Sequence, residues 1–330
     1  MDSFYNQKKI LVAGSAGFIG SNLVDRLVKL GANVRGTYHL RSPPAINSEV
    51  EYLKVDLRNL QDCLRVTSNI DYVFMAAANS SGAEIIEKTP LVHLTPNLIM
   101  NAHMLEAAHT NGIEKFCFIS SNVVYPLTDF AVVEDDVTNE FFEKYYIVGW
   151  MKRFTELMCE MYSQKITNPM TTIIVRPGNL YGPYDKFTLR NSKVIPALIR
   201  RAIERETPFI VWGNGEDLKD FLYIDDFIDG LLSSFEKLNK FEIINIASGM
   251  SISIKELVRL ILSITNYAEA DTVYDQGMPS MIPKRLINID KAIKTLNWQP
   301  KISMSEGIER VVDWYISYYK NCSPEDSYDY

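Results

Sequence analysis

The stretch that most narrows what this chain can become is Lys9-Ile-Leu-Val-Ala-Gly14-Ser-Ala-Gly17-Phe-Ile-Gly20. An apolar run of strand length enters three glycines spaced three apart, and the apolar positions that follow, over Ile19–Leu30, recur with a helical period. Glycine allows a tight turn and close main-chain approach, and the unpaired amides at the start of the helix attract a diphosphate. Such a loop alone is weak evidence. Between an N-terminal strand and an amphipathic helix it predicts a dinucleotide site built by Gly14, Ala16, Gly17, Phe18, Ile19 and Gly20.

The same rhythm continues. Apolar bursts at Val34–Tyr38, Tyr52–Val55, Tyr72–Ala76, Phe116–Ile119 and Thr172–Val175 alternate with helical segments at Asn97–Thr110 and Tyr145–Tyr162. Apolar strands separated by helices predict a parallel sheet covered on both faces, a Rossmann-type doubly wound α/β fold. After Pro177 the pattern loosens into helices at Lys193–Glu206, Asp225–Leu238, Ile254–Ile264 and Ser305–Tyr319 with short strands between them. The expected division is 1–177 with about 220–249 for the dinucleotide part, and 178–219 with 250–320 for a smaller mixed α/β C-terminal substrate part. Residues 321–330 form a polar tail, expected to be mobile.

Composition sets outer limits. A 330-residue chain that is 47 % hydrophobic can bury a full core, and a net charge of −7 lacks the positive field that nucleic acid binding needs. Phosphates on a substrate must therefore be met locally. No apolar run reaches the roughly 18 residues that cross a membrane, and Met1 leads directly into polar residues, so a cytoplasmic protein without a membrane partner is expected. Cys63, Cys117, Cys159 and Cys322 have neither CxxC nor metal spacing, which predicts reduced thiols and no metal.

At the end of the second strand, where a carboxylate would read the ribose of NAD, stand His39 and Arg41. They suit the extra phosphate of NADP, or a solvated surface. Asp56 and Leu57 close the third strand, placed for the adenine edge or for capping the next helix.

These motifs, with Met75-Ala-Ala-Ala78, Asn97, Ser120-Ser121-Asn-Val-Val-Tyr125-Pro126, Arg176-Pro-Gly-Asn179-Leu-Tyr181-Gly-Pro183 and Asp220-Phe-Leu-Tyr-Ile-Asp225-Asp226, stand in a familiar order. Over nearly its whole length the chain resembles the extended short-chain dehydrogenase/reductase family. The resemblance implies cofactor contacts from Ala76, Ala78, Asn97, Lys152 and Pro177, and a substrate contact from Ser80. It also implies hydride removal from a sugar carbon, with a Tyr four residues before a Lys taking the hydroxyl proton and a strand-end serine, here Ser121, bonding the reacting oxygen.

The chain departs from that pattern at its centre: four residues before Lys152 stands Val148. Tyr145 and Tyr146 lie nearby. On a regular helix Tyr145 would share a face with Lys152 at about 10 Å, against about 6 Å for the usual spacing. Tyr146 is nearer but turned away. The catalytic set expected is Ser121, Lys152 and Tyr146, with Tyr145, Lys152 itself or a water as other proton acceptors and plain packing of both tyrosines as the alternative.

The stretch from Asn179 to Arg201 is similar to the same region of GDP-L-fucose synthases. That likeness implies that Asn179, Lys193, Val194, Leu198, Arg201, Trp212, Lys219 and Arg285 contact a GDP-sugar; cations suit a diphosphate and an aromatic ring suits a base. Val123 and Lys193 occupy the positions of the Cys and His that move protons in those enzymes, so the double epimerisation is expected to be absent. What remains resembles a GDP-D-glycero-α-D-manno-heptose 4-dehydrogenase of a bacterial capsule pathway, which implies NAD(H) as cofactor. Relatives also pair through helices equivalent to Asn97–Thr110 and Tyr145–Tyr162, so a homo-oligomer, dimer or tetramer, is expected, with Met100, Met104, Met158 and Met161 as candidate surface.

Overall fold

The computed structural model describes residues 3–80, 89–188, 192–278 and 281–319. The chain opens with β1 (Lys9–Ala13), α1 (Phe18–Lys29), β2 (Asn33–Tyr38), β3 (Glu51–Lys54), α2 (Leu60–Thr67) and β4 (Tyr72–Met75). It continues through α3 (Thr95–Thr110), β5 (Lys115–Ile119), α4 (Tyr146–Gln164) and β6 (Thr171–Pro177). Then come β7 (Asn179–Tyr181), α5 (Val194–Ile203), β8 (Phe209–Trp212), β9 (Leu218–Lys219), β10 (Phe221–Tyr223) and α6 (Ile224–Lys237). Last are β11 (Glu242–Ile246), β12 (Ile252–Ser253), α7 (Ile254–Ile264), β13 (Thr272–Asp275), α8 (Asp290–Leu296) and α9 (Met304–Trp314).

Seven strands form one sheet in the order β3-β2-β1-β4-β5-β6-β11, every neighbouring pair parallel. The strand residues divide strictly by pleat. Ile10, Val12, Phe74, Cys117, Ile119, Ile173 and Val175 enter one apolar cluster with α1 and α6. Leu11, Ala13, Val73, Met75, Phe116, Phe118 and Ile174 enter a second with α2, α3 and α4. Burial on both faces explains the unbroken apolar runs, and a fully buried side chain such as Phe74 contributes on the order of 2–3 kcal/mol. This is the doubly wound fold expected from the alternating pattern.

The order reverses beside β1, so the loops after β1 and β4 diverge and leave a crevice at the strands' C-terminal ends. The later elements lie over that crevice. They contribute three two-stranded pairs, β7 with β10, β8 with β13 and β9 with β12, and their apolar side chains, among them Leu198, Phe209 and Leu257, belong to the same cluster as Ile10 and Phe74. Cys63, Cys117 and Cys159 are buried free thiols, pushed above the usual thiol range by burial. Cys322 and the tail 321–330 lie outside the described residues.

Candidate active site

A cavity of about 1120 Å³ fills the crevice, larger than a typical single-ligand pocket and roomy enough for two nucleotides. Its floor is the glycine turn. Gly14 has φ +84°, and a Cβ there would lie 2.6 Å from the Ala77 main chain; a Cβ on Gly20 would lie 2.1 Å from the Gly14 carbonyl. Both glycines are therefore required by close main-chain approach. Gly17 begins α1 with no side chain capping the helix, and the first-turn residues Phe18 and Ile19 face the cavity. An open, positively polarised helix end beneath a turn that admits no side chains is what a dinucleotide diphosphate requires, and the residues present fit it.

Around this floor the structure gathers most of the residues singled out in the sequence. Gly14, Ala16, Gly17, Phe18, Ile19, His39, Arg41, Asp56, Leu57, Ala76, Ala78, Ser80 and Pro177 line the cavity. So do Ser121, Lys152, Asn179, Lys193, Val194, Leu198, Arg201, Trp212, Lys219 and Arg285. Asp56 does not cap α2, a task done by Asn59. Its carboxylate is held by both ends of the Arg58 guanidinium at 2.6 to 3.1 Å, which keeps its pKa down to about 2.

Three expected site residues do not line the cavity. Gly20 is buried and closes the turn from behind. Asn97 is a pin: its amide donates to the carbonyls of Asn79 at 3.0 Å and His93 at 2.7 Å, and its Oδ1 accepts from the Asn79 amide at 2.8 Å. It fixes the loop after β4. The third correction is Tyr146, whose side chain is 55 % exposed and lies edge-on to Phe141 and Trp150, with ring centroids 6.4 Å away in both cases. The cause is local: Glu143–Tyr145 form a 3-10 turn and α4 starts only at Tyr146, so Tyr145 precedes the regular helix and turns its ring into the cavity. Burial pushes the Tyr145 phenol up to about 12.

Val148 and Val123 also line the cavity, on the wall shared by Ser121 and Lys152. The Lys152 ammonium donates to the Ile119 carbonyl at 2.8 Å and lies 4.9 Å from the centre of the Phe118 ring. Desolvation lowers its pKa to about 8, opposed by the negative charge of Glu156 one turn along. Ser121 Oγ accepts weakly from the Val123 amide, at 3.3 Å, leaving its hydroxyl hydrogen for another partner.

A buried network that sequence reading missed sets these side chains in place. Arg176 clasps Glu156 through Nε at 2.9 Å and Nη2 at 2.7 Å, and Ser120 Oγ donates to the same carboxylate at 2.6 Å. Arg176 also donates to Tyr125 Oη at 3.0 Å, and Tyr125 Oη in turn donates to Asn245 Oδ1 at 2.6 Å. The ends of β5, β6 and β11 are thereby locked to α4, which holds Ser121 and Lys152 in register.

On the far wall Lys219 is paired with Asp217 at 3.0 Å and bonded to the Ile282 carbonyl, and Arg201 bonds the Ile210 carbonyl. Arg285, 2 % exposed, donates to the carbonyls of Pro126 at 2.8 Å and Tyr125 at 3.1 Å, while its buried Nε has no partner among the described residues. Lys193 is paired with Asp185 at 3.4 Å and sits 4.8 Å from the centre of the Phe18 ring. Lysines and arginines thus ring a cavity in an otherwise acidic protein.

Residues 10–247 match the family model described as the NAD dependent epimerase/dehydratase family. The chain belongs to that family. NAD is the cofactor for which the family is named. The chain is 29 % identical over 322 residues to a GDP-L-fucose synthase of Sinorhizobium fredii, covering 94 % of this chain and 96 % of that one. It is 29 % identical to a GDP-mannose 3,5-epimerase of Arabidopsis thaliana, covering 93 % and 81 %. Among solved structures, a UDP-glucuronic acid 4-epimerase of Bacillus cereus, in complex with UDP-glucuronic acid and NAD, superimposes with a TM-score of 0.82 at 28 % identity over 94 % of this chain and 99 % of that one. This family member is an enzyme of nucleotide-sugar chemistry.

Proposed function

We propose that the chain oxidises the C4 hydroxyl of a GDP-sugar to a ketone, with GDP-D-glycero-α-D-manno-heptose as the first candidate and a bacterial capsule or surface polysaccharide as the destination. The observation that carries this reading is the pair of valines, Val123 and Val148, in the cavity wall beside Ser121 and Lys152. An alkyl side chain neither takes nor gives a proton, so position 123 offers no acid–base group for inverting the carbons next to a ketone. Hydride removal at one carbon remains. The GDP-L-fucose synthase and GDP-mannose epimerase relatives support the GDP-sugar class.

NAD held at the glycine floor would take the hydride. Ser121 hydrogen-bonds the reacting oxygen and stabilises the charge that develops there. Lys152 is the proton acceptor in this reading: desolvation moves its ammonium down, toward the neutral amine, whereas burial moves the Tyr145 phenol up and away from ionisation. Tyr145 therefore serves as a hydrogen-bond donor. Lys219, Arg201 and Arg285 meet the diphosphate, and Trp212 with Val194 and Leu198 grips the base.

The protein also works as a homo-oligomer in this reading. Tyr146, Trp150 and Phe154 form an exposed stripe along α4 at one-turn intervals, continued by Met161 and by Ile99 on α3. Met104 is part of the core, and Met100 and Met158 pack against it, so of the four methionines Met161 is the exposed one.

The test is turnover of a GDP-sugar panel with NAD, followed through the near-ultraviolet absorbance of the reduced nicotinamide. Bound cofactor without turnover of any sugar nucleotide would instead make the chain a NAD(H)-binding sensor.

A further inference from the structure

On the β2 side the cavity is bridged by two crossings between the sheet's loops and the later elements. Tyr318 Oη donates to the Pro44 carbonyl at 2.7 Å, tying the turn after α9 to the loop after β2. Lys186 Nζ donates to the Ser80 carbonyl at 2.9 Å, tying the segment before α5 to the loop after β4. The Tyr318 ring stacks on Trp314, with centroids 5.2 Å apart and planes at 22°, and Tyr184 meets them edge-on at 6.2 and 5.6 Å. Tyr184 keeps φ +66°, a conformation that is strained for a bulky residue and persists where the surroundings enforce it. Pro44, Tyr184, Lys186, Trp314 and Tyr318 all face the cavity.

In a doubly wound fold the end of β2 receives the adenosine half of a dinucleotide. Arg41, three residues past the end of β2, and Lys186 both line the cavity. Aromatic rings and cations suit the adenine and phosphates of a dinucleotide.

We propose that the segment Tyr315–Tyr319, fastened by Tyr318 to Pro44, is a strap over the adenosine end of the cofactor site, and that the dinucleotide exchanges with solvent when this strap opens. The inference rests on the dinucleotide site and not on which sugar is oxidised. Net oxidation needs one cofactor exchange per turnover, so opening of the strap becomes a step of the cycle.

The experiment is a stopped-flow displacement of NADH from the loaded full-length protein by excess NAD, read by nicotinamide fluorescence, for wild type, Tyr318→Phe and Tyr318→Ala. Removing the hydroxyl alone speeds release about fivefold, the factor that one net hydrogen bond is worth, and removing the ring as well speeds it more than about tenfold. Release of GDP and the melting point stay those of the wild type. Unchanged NADH release in a folded variant overturns the proposal, as does equal acceleration of GDP release, which would mark general loosening. Should Tyr318→Ala not fold, Tyr318→Phe decides alone.

Discussion

Tyr145 lines the cavity that holds Lys152 and Ser121, whereas Tyr146, one peptide further on, lies outside it against Phe141 and Trp150. The change from a 3-10 turn to an α-helix between them produces the difference. With Val148 at the position from which the family's tyrosine would act, Tyr145 supplies a phenol to that wall.

The two tyrosines should therefore separate cleanly by mutation. Tyr145→Phe is expected to lower kcat by about a hundredfold, the usual loss when a donor to a reacting oxygen is removed. Tyr146→Phe leaves kcat and KM unchanged. Steady-state kinetics of both variants check the assignment, and equal losses would refute it.

Lys152 predicts the pH dependence. As an acceptor its amine must be neutral, so kcat/KM for oxidation rises with pH and levels above about 8. Lys152→Met should abolish turnover. A rate that instead falls as pH climbs through that value would make the ammonium the active form.

The clasp between Arg176 and Glu156 is a stability prediction. Both side chains are fully buried, so Arg176→Met takes two charge-assisted bonds from the Glu156 carboxylate and leaves it with Arg153 at 3.2 Å and Ser120 at 2.6 Å, which should cost about 2–4 kcal/mol in urea unfolding. Arg176→Met combined with Glu156→Gln should recover part of that loss, because the under-compensated charge is gone. A neutral single variant would contradict the network's role.

The stripe on α4 predicts the assembly. Sedimentation should give an oligomer for the wild type, while Phe154→Glu or Trp150→Glu shifts it toward monomer by placing a carboxylate in an apolar contact. A monomeric wild type would remove the interface.

Much of this was legible before the structure. The long apolar strands carry their own signature because a sheet buried on both faces leaves no polar alternation, and the glycine spacing marks the floor. The short helices α2 and α8 escaped because they are brief and largely polar, α2 being announced mainly by its cap Asn59. Tyr145 shared a face with Lys152 on helical spacing, but the spacing could not choose between it and Tyr146, because the 3-10 turn that ends at Tyr145 leaves no local mark in the sequence. Gly20 and Asn97 stand with the cofactor residues in the motif, and motif membership does not say that one closes the glycine turn from behind and the other pins the loop after β4. Glu156 and Arg176 lie 20 residues apart, and nothing local predicts that they meet.

The central claim, oxidation at one carbon without inversion of its neighbours, is tested most directly by running the reaction with NAD and GDP-manno-heptose in deuterium oxide and weighing the sugar product. The account predicts a product lighter than its substrate by two hydrogens, with no deuterium on carbon. Deuterium bound to carbons beside the ketone would contradict it, because some group in the cavity would then be moving the protons that Val123 cannot.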